Sequence, residues 1–146
     1  HFAISIALKK KEEIISGLIF DPIKNEMFYA EKNNGAYFNN KRIRVSKKKN
    51  IDECLFATGG KEQIKNNLNT RKSGSAALDM AYVGAGRYDG YFQNNLNIWD
   101  IAAGIIIVEE AGGKINNIDN SSKAEINILA GSNSIYQKMQ ENLNNF

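Results

Sequence analysis

The chain has 146 residues, of which 42% are hydrophobic, 10% aromatic and 24% charged, the make-up of an ordinary globular domain and not of a collagen-like, disordered or disulfide-stapled chain. Nineteen Lys and Arg against sixteen Asp and Glu leave a net charge of +3, too mild an excess to nominate nucleic acid as a partner. The single cysteine, Cys54, cannot close an internal disulfide, and the longest apolar run, Ile105 to Val108, falls far short of the ~20 residues that cross a bilayer. With no membrane segment and no charged-then-apolar leader, the chain reads as cytoplasmic.

Residues 1–50 carry short β-type runs broken by turn residues, the pattern of an antiparallel meander belonging to a first sheet. Phe2 to Leu8 comes first, entered at full stride from His1 with no methionine before it, so a preceding segment is expected in the parent gene. The polar run Lys9 to Glu13 turns the chain into Ile14 to Phe20, and Asp21-Pro22-Ile23-Lys24-Asn25 turns it again before Met27 to Glu31. Asn33-Asn34-Gly35 makes a hairpin, and Asn39-Asn40, which tolerate the left-handed backbone of a tight turn, separate Gly35 to Phe38 from a strand at Ile43 to Val45. The basic cluster Lys41, Arg42, Arg44, Lys47, Lys48 and Lys49 reads more simply as a solvated sheet edge guarded against pairing than as an RNA or phosphate patch.

Residues 51–146 change pattern to strands alternating with helical periodicity, a C-terminal α/β portion. Cys54 to Thr58 reads as a strand, Lys61 to Asn69 as a weak polar helix, Ser75 to Ala85 as a buried helix and Tyr88 to Gln93 as a strand. Ile101 to Ala111 is apolar on nearly every face, with Asp100 where an N-cap belongs and Gly112-Gly113 at the stop, so it predicts a central helix. Lys114 to Ile118 and Glu125 to Ala130 are the last strands, and Ser134 to Phe146 is an amphipathic end helix.

Two segments could carry chemistry. In Asn97-Ile98-Trp99-Asp100-Ile101, an aspartate at the mouth of a buried helix, set by a tryptophan that anchors the turn, suits a hard cation such as magnesium, which takes one or two protein carboxylates. On spacing alone, helix capping is the commoner use of such a residue. In Arg71-Lys72-Ser73-Gly74-Ser75-Ala76, a small-residue turn opening a helix offers backbone N–H donors to an anion or a sugar hydroxyl, although Ser73 or Ser75 equally serves as a plain cap. Glu109 and Glu110, late on the helix, read as solvated or capping. Gly84, Gly86 and Gly90 follow a helix instead of opening one after a strand, which excludes a dinucleotide fingerprint. One cysteine and one histidine cannot close a zinc site, and triad catalysis would have to use the terminal His1.

Trp99-Asp100-Ile101-Ala102-Ala103-Gly104 with Glu110-Ala111-Gly112-Gly113, preceded by Gly74-Ser75-Ala76-Ala77-Leu78-Asp79 and Asp89-Gly90-Tyr91-Phe92, resembles the inositol monophosphatase family over nearly the whole chain. The resemblance implies a layered αβαβα sandwich of the α+β type and a homodimer, acting as a magnesium-dependent hydrolase of inositol phosphates or related small sugar phosphates. It implies that Asp100 binds metal (Mg2+) and helps orient substrate, and that Gly74, Ser75 and Ala76 contact the sugar ring. Gln93 falls where many members have a glutamate that bonds ring hydroxyls, which changes the charge offered to substrate. The family's Asp-Pro-(Ile/Leu)-Asp-Gly-Thr metal run is missing, since Asp21-Pro22 continues as Ile23-Lys24-Asn25. The expectation is therefore the C-terminal part of a phosphatase, inactive alone and needing an upstream segment for its other metal ligands. The competing reading is a non-catalytic dimerisation or macromolecule-binding module derived from a split or degenerate phosphatase.

Overall fold

A computed structural model describes residues 2–60, 68–116, 118 and 125–143. The first sheet is an antiparallel meander in chain order: β1 (Ile4–Lys10), β2 (Glu13–Asp21), β3 (Glu26–Glu31), β4 (Gly35–Phe38) and β5 (Lys41–Arg42). Its turns follow from residues that tolerate positive φ: Asn25, Asn33 and the pair Asn39 and Asn40, at 43° and 66°. Asp21 closes the β2–β3 turn by accepting from the Ile23 and Lys24 amides at 2.9 and 3.1 Å, the role its position before Pro22 suggests.

Side chains alternate across this sheet with period two. Ile19, Phe28, Ala30 and Ala36 are buried on the inner face. On the outer face, Ile4 pairs with Phe20, Ile6 with Leu18 and Leu18 with Tyr29, and the β1 members of this row, Ile4, Ile6 and Leu8, are 52–60% exposed.

The second sheet has the order β7-β6-β8-β10-β9: β6 (Phe56–Ala57), β7 (Thr70–Arg71), β8 (Gly90–Leu96), β9 (Gly113–Ile115) and β10 (Ile126–Ser132). β6 runs parallel to β7 and β8, and β10 is antiparallel to β8 and β9. Between the sheets lie α1 (Ala76–Gly84) and α2 (Ile98–Glu110). They turn Leu78, Ala81, Tyr82, Ala103, Ile106 and Ile107 into a core shared with the first sheet. Met80, Val83, Ile101, Ile105 and Val108 pack with Tyr91, Ile128 and Ala130 of the second. α3 (Tyr136–Asn142) covers the other face of the second sheet, where Met139 meets Phe56, Phe92 and Leu129. The layers are therefore sheet, helix pair, sheet, helix, an α+β layered sandwich.

Several boundaries depart from the sequence expectation. The central helix starts at Ile98, not Ile101, with Asn97 as its N-cap and Asp100 as its third residue. The strand expected at Ile43 to Val45 is replaced by β5 at Lys41–Arg42, because Ile43 donates to Ala36 O and Val45 to Ala111 O as the chain leaves the sheet edge for the end of α2. β7 was not anticipated: a two-residue strand carries no alternation to read. Of the helix expected at Lys61 to Asn69, residues 61–67 lie outside the described residues, and Leu68 and Asn69 are not helical. The last three positions of the expected end helix, 144–146, also lie outside them.

Candidate active site

The direction of the two inner helices decides where their ends meet. A side chain placed on Gly104 would lie 2.6 Å from Met80 Cβ, and one on Gly84 would lie 2.8 Å from Ile107 Cγ2. Contacts therefore advance together along α1 and α2, so the helices run side by side in the same direction at near-backbone separation. Their N-termini, at Ser75 and Asn97, face the same end of the molecule. That end is also where the parallel strands β6 and β7 finish, and where β8 passes into α2, the edge at which open α/β sheets place their ligands.

Each terminus is built differently. At α1, Ser73 Oγ accepts from Ser75 N at 3.1 Å, and Ser75 Oγ caps the helix by accepting from Leu78 N at 3.4 Å. Gly74 between them has φ +87° with nothing within 4 Å of where a Cβ would stand. The glycine thus serves the left-handed backbone, and the space beside it is open. At α2, Asp100 Oδ2 accepts from the Asn97 backbone amide at 3.0 Å, one arm of a capping box. This bond fixes the carboxylate beside the first turn while the residue stays half-buried. Asp100 is thus neither the N-cap itself nor free of capping duty, and the two readings its spacing left open coexist.

Trp99 does not anchor this turn: its ring is 69% exposed. It lines a cleft of about 250 Å³ with Ser5, Ala7, Ile14, Ile98 and Ala102, between β1 and α2. An aromatic at the start of an apolar helix is ordinarily core, so nothing local in the sequence marks this exposure.

Gln93 stands half-buried on β8, next to Gly59 at the end of β6: a Cβ on Gly59 would fall 2.1 Å from Gln93 Oε1. That oxygen accepts from the buried Tyr91 hydroxyl at 2.6 Å, and the amide nitrogen also lies against Gly59, 2.9 Å from where a Cβ would stand. Gly74, Ser75, Ala76, Gln93 and Asp100 thus belong to one end of the fold.

Asp79, within the Gly74–Asp79 block of the family resemblance, lies one turn into α1 and is 1% exposed. Burial pushes its carboxyl up to about 6, partly opposed by the Ser73 hydroxyl. Its Oδ1 has no hydrogen-bond partner. The signal was available: an acid in the apolar run Ala76-Ala77-Leu78-Asp79-Met80-Ala81 must be buried. Glu110 also exceeds its expected role, since its two carboxylate oxygens accept from the Asn33 and Gly35 amides, each at 2.8 Å. Cys54 is buried and its thiol is pushed up to about 11, mainly by burial, which favours the neutral thiol at neutral pH.

The arrangement suits an oxyanion. Two helix N-termini place partial positive charge at one end, where Asp100 could give one carboxylate to a hard cation. Among the described residues no three Asp, Glu, His or Cys side chains converge on a point. The residues present therefore fit one ligand of a magnesium site and do not by themselves make a cluster.

A family model described as the inositol monophosphatase family matches residues 1–145. The chain belongs to the inositol monophosphatase family. Inositol-1-monophosphatase of Caulobacter vibrioides is 37% identical over 98% of this chain and 64% of its own length. Nus factor SuhB of Escherichia coli K12 is 36% identical over 98% of this chain and 60% of its own. The crystal structure of extragenic suppressor protein suhB from Bartonella henselae superposes with a TM-score of 0.90 at 40% identity, covering 99% of this chain and 62% of that one. Thermotoga maritima IMPase gives 0.86 at 37%, with 95% and 59% covered. The chain thus spans roughly three-fifths of the length of these inositol monophosphatase relatives. Among the described residues no helix is long and apolar enough to cross a membrane.

Proposed function

We propose that this chain is the C-terminal part of a magnesium-dependent phosphomonoesterase that hydrolyses inositol monophosphate or a related small sugar phosphate. The observation that carries the reading is the co-directional pair α1 and α2, which brings the Ser75 and Asn97 helix starts and the Asp100 carboxylate to one end of the sheet. The family membership and the name of the Caulobacter relative support the substrate class.

In this reading Asp100, held by the Asn97 amide, presents its carboxylate to metal and orients the ester. Gly74, Ser75 and Ala76 offer backbone donors at the α1 terminus to the sugar hydroxyls. Gln93 donates to a ring hydroxyl through its amide nitrogen, where a glutamate would only accept. Magnesium, when bound, supplies Lewis-acid neutralisation of charge on the transferring phosphoryl group. One carboxylate does not complete a magnesium site, so in this reading an upstream segment with the Asp-Pro-(Ile/Leu)-Asp-Gly-Thr run supplies the other ligands. The outer face of the first sheet, where Ile4, Ile6 and Leu8 stand exposed, supports such a segment packing there as the remaining layer. The homodimer and the cytoplasmic location belong to the same reading.

Phosphate release from inositol 1-phosphate with magnesium tests it. The purified 146-residue chain is expected to show no turnover above the uncatalysed background, and a polypeptide extended upstream through the missing signature is expected to be active. Turnover by the 146-residue chain, or silence of the extended one, overturns the reading.

A further inference from the structure

The basic run after β5 does not lie where the sequence placed it. Only Lys41 and Arg42 occupy the sheet edge. Residues 43–50 form an extended strap without regular structure that crosses to the end of α2. The strap is pinned from several sides. Val45 donates to Ala111 O at 3.1 Å, and the Lys138 ammonium donates to Lys49 O at 2.7 Å. Ser134 Oγ donates to Lys48 O. Lys48, itself exposed, pairs with the buried Asp89 at 3.0 Å. Edge protection therefore accounts for two of the six cations, and an ion pair with a buried carboxylate for a third.

Arg44, Lys47 and Lys49 remain, all exposed. With Gly112, Asn133 and Ser134 they line a cleft of about 470 Å³ that contains no carboxylate. The neighbouring acid, Glu110, spends both oxygens on the Asn33 and Gly35 amides and shows Arg44 only its carbonyl. Among the described residues Arg44, Lys47 and Lys49 make no ion pair. Lys138, held on the strap, adds a fourth positive charge at the rim. The cleft holds no aromatic side chain for base stacking and no large apolar anchor of the kind that centres a protein interface. What it offers is exposed positive charge, carried by three side chains on a strap whose backbone is pinned, with Asn133 beside them.

We infer that this cleft binds the phosphate backbone of a polynucleotide, without reading its sequence. The site is separate from the one above: Asp100 and Glu110 are ten positions apart on α2, about 15 Å at 1.5 Å per residue. It stands or falls independently of the phosphatase reading.

The test is fluorescence anisotropy of a labelled single-stranded RNA against salt. Three or four phosphate contacts predict a slope of log Kobs against log salt of about −2 to −3, a loss of roughly 15- to 60-fold between about 50 and 200 mM. The variant Arg44→Gln/Lys47→Gln/Lys49→Gln is expected to lose most of the binding and flatten the slope. The charge-matched control Lys9→Gln/Lys10→Gln/Lys11→Gln is expected to keep both. If the triple variant misfolds by circular dichroism, Lys47→Gln alone, whose side chain makes no hydrogen bond or ion pair among the described residues, should reduce the slope by about 0.7. An unchanged slope in the strap variants overturns the inference, as does an equal loss in the control. Displacement of the RNA by millimolar inorganic phosphate at constant ionic strength overturns it in favour of a free-phosphate site.

Discussion

Asp79 shows how much one buried acid costs. Its carboxyl titrates near 6 in the fold against an ordinary 3.8, so the folded state holds the proton more tightly than the unfolded chain. The stability gained from the protonated form is complete below about pH 4 and is lost as pH rises through 6, a span of about 3 kcal/mol at 1.36 kcal/mol per unit. Asp79→Asn is therefore expected to gain stability relative to the parent between pH 4 and 6.5, then hold a constant advantage, as read by urea midpoints across that range. A parent-minus-variant difference that does not change with pH would place the titration elsewhere. Single residues were also where the sequence was hardest to read. Asp100 carries a capping bond and a carboxylate to spare, and no spacing rule separates the two uses. Trp99 reads as a turn anchor in the sequence, yet its ring lies largely open in the cleft between β1 and α2.

At the scale of elements, the pattern of the chain predicted most strands and both inner helices, since alternation and apolar periodicity are local. What it missed depends on partners distant in sequence. β7 exists through its pairing with β6, and the chain leaves the first sheet after Arg42 because Val45 finds Ala111 O. The co-direction of α1 and α2, on which the site depends, rests on Gly104 and Gly84 meeting Met80 and Ile107, and no single segment contains that information. Glu110 binds the end of α2 to the β3–β4 hairpin through two charge-assisted bonds. Such bonds contribute about 1.5–3 kcal/mol each. Glu110→Ala should cost at least about 2 kcal/mol in denaturant unfolding, with Gln recovering part of it through its one acceptor oxygen. A loss below about 0.5 kcal/mol would show that the hairpin is held by packing alone.

For the molecule as a whole, the layer order was legible through the family resemblance of two short blocks, and the structure fills four of the five layers that resemblance implies. In the proposed reading the fifth packs on the outer face of the first sheet. Ile6, 60% exposed in the middle of β1, gives a test with opposite signs. In the 146-residue chain, Ile6→Lys is expected to reduce aggregation by light scattering with little change in stability, because it removes apolar surface already in water. In the extended polypeptide the same change should destabilise by about 2–5 kcal/mol, the range for losing a buried large aliphatic side chain. Equal effects in both would mean that nothing covers this face.

The proposed phosphatase needs Asp100 as a metal-holding carboxylate as well as a helix cap, and Asp100→Asn separates the two, since the amide oxygen can still accept from the Asn97 backbone. Measured in the extended polypeptide against magnesium concentration, the variant should keep its melting temperature within a few degrees and lose phosphatase activity by at least about 100-fold, with the magnesium dependence shifted to higher concentration. Activity within a few-fold of the parent at the same magnesium dependence would contradict the account.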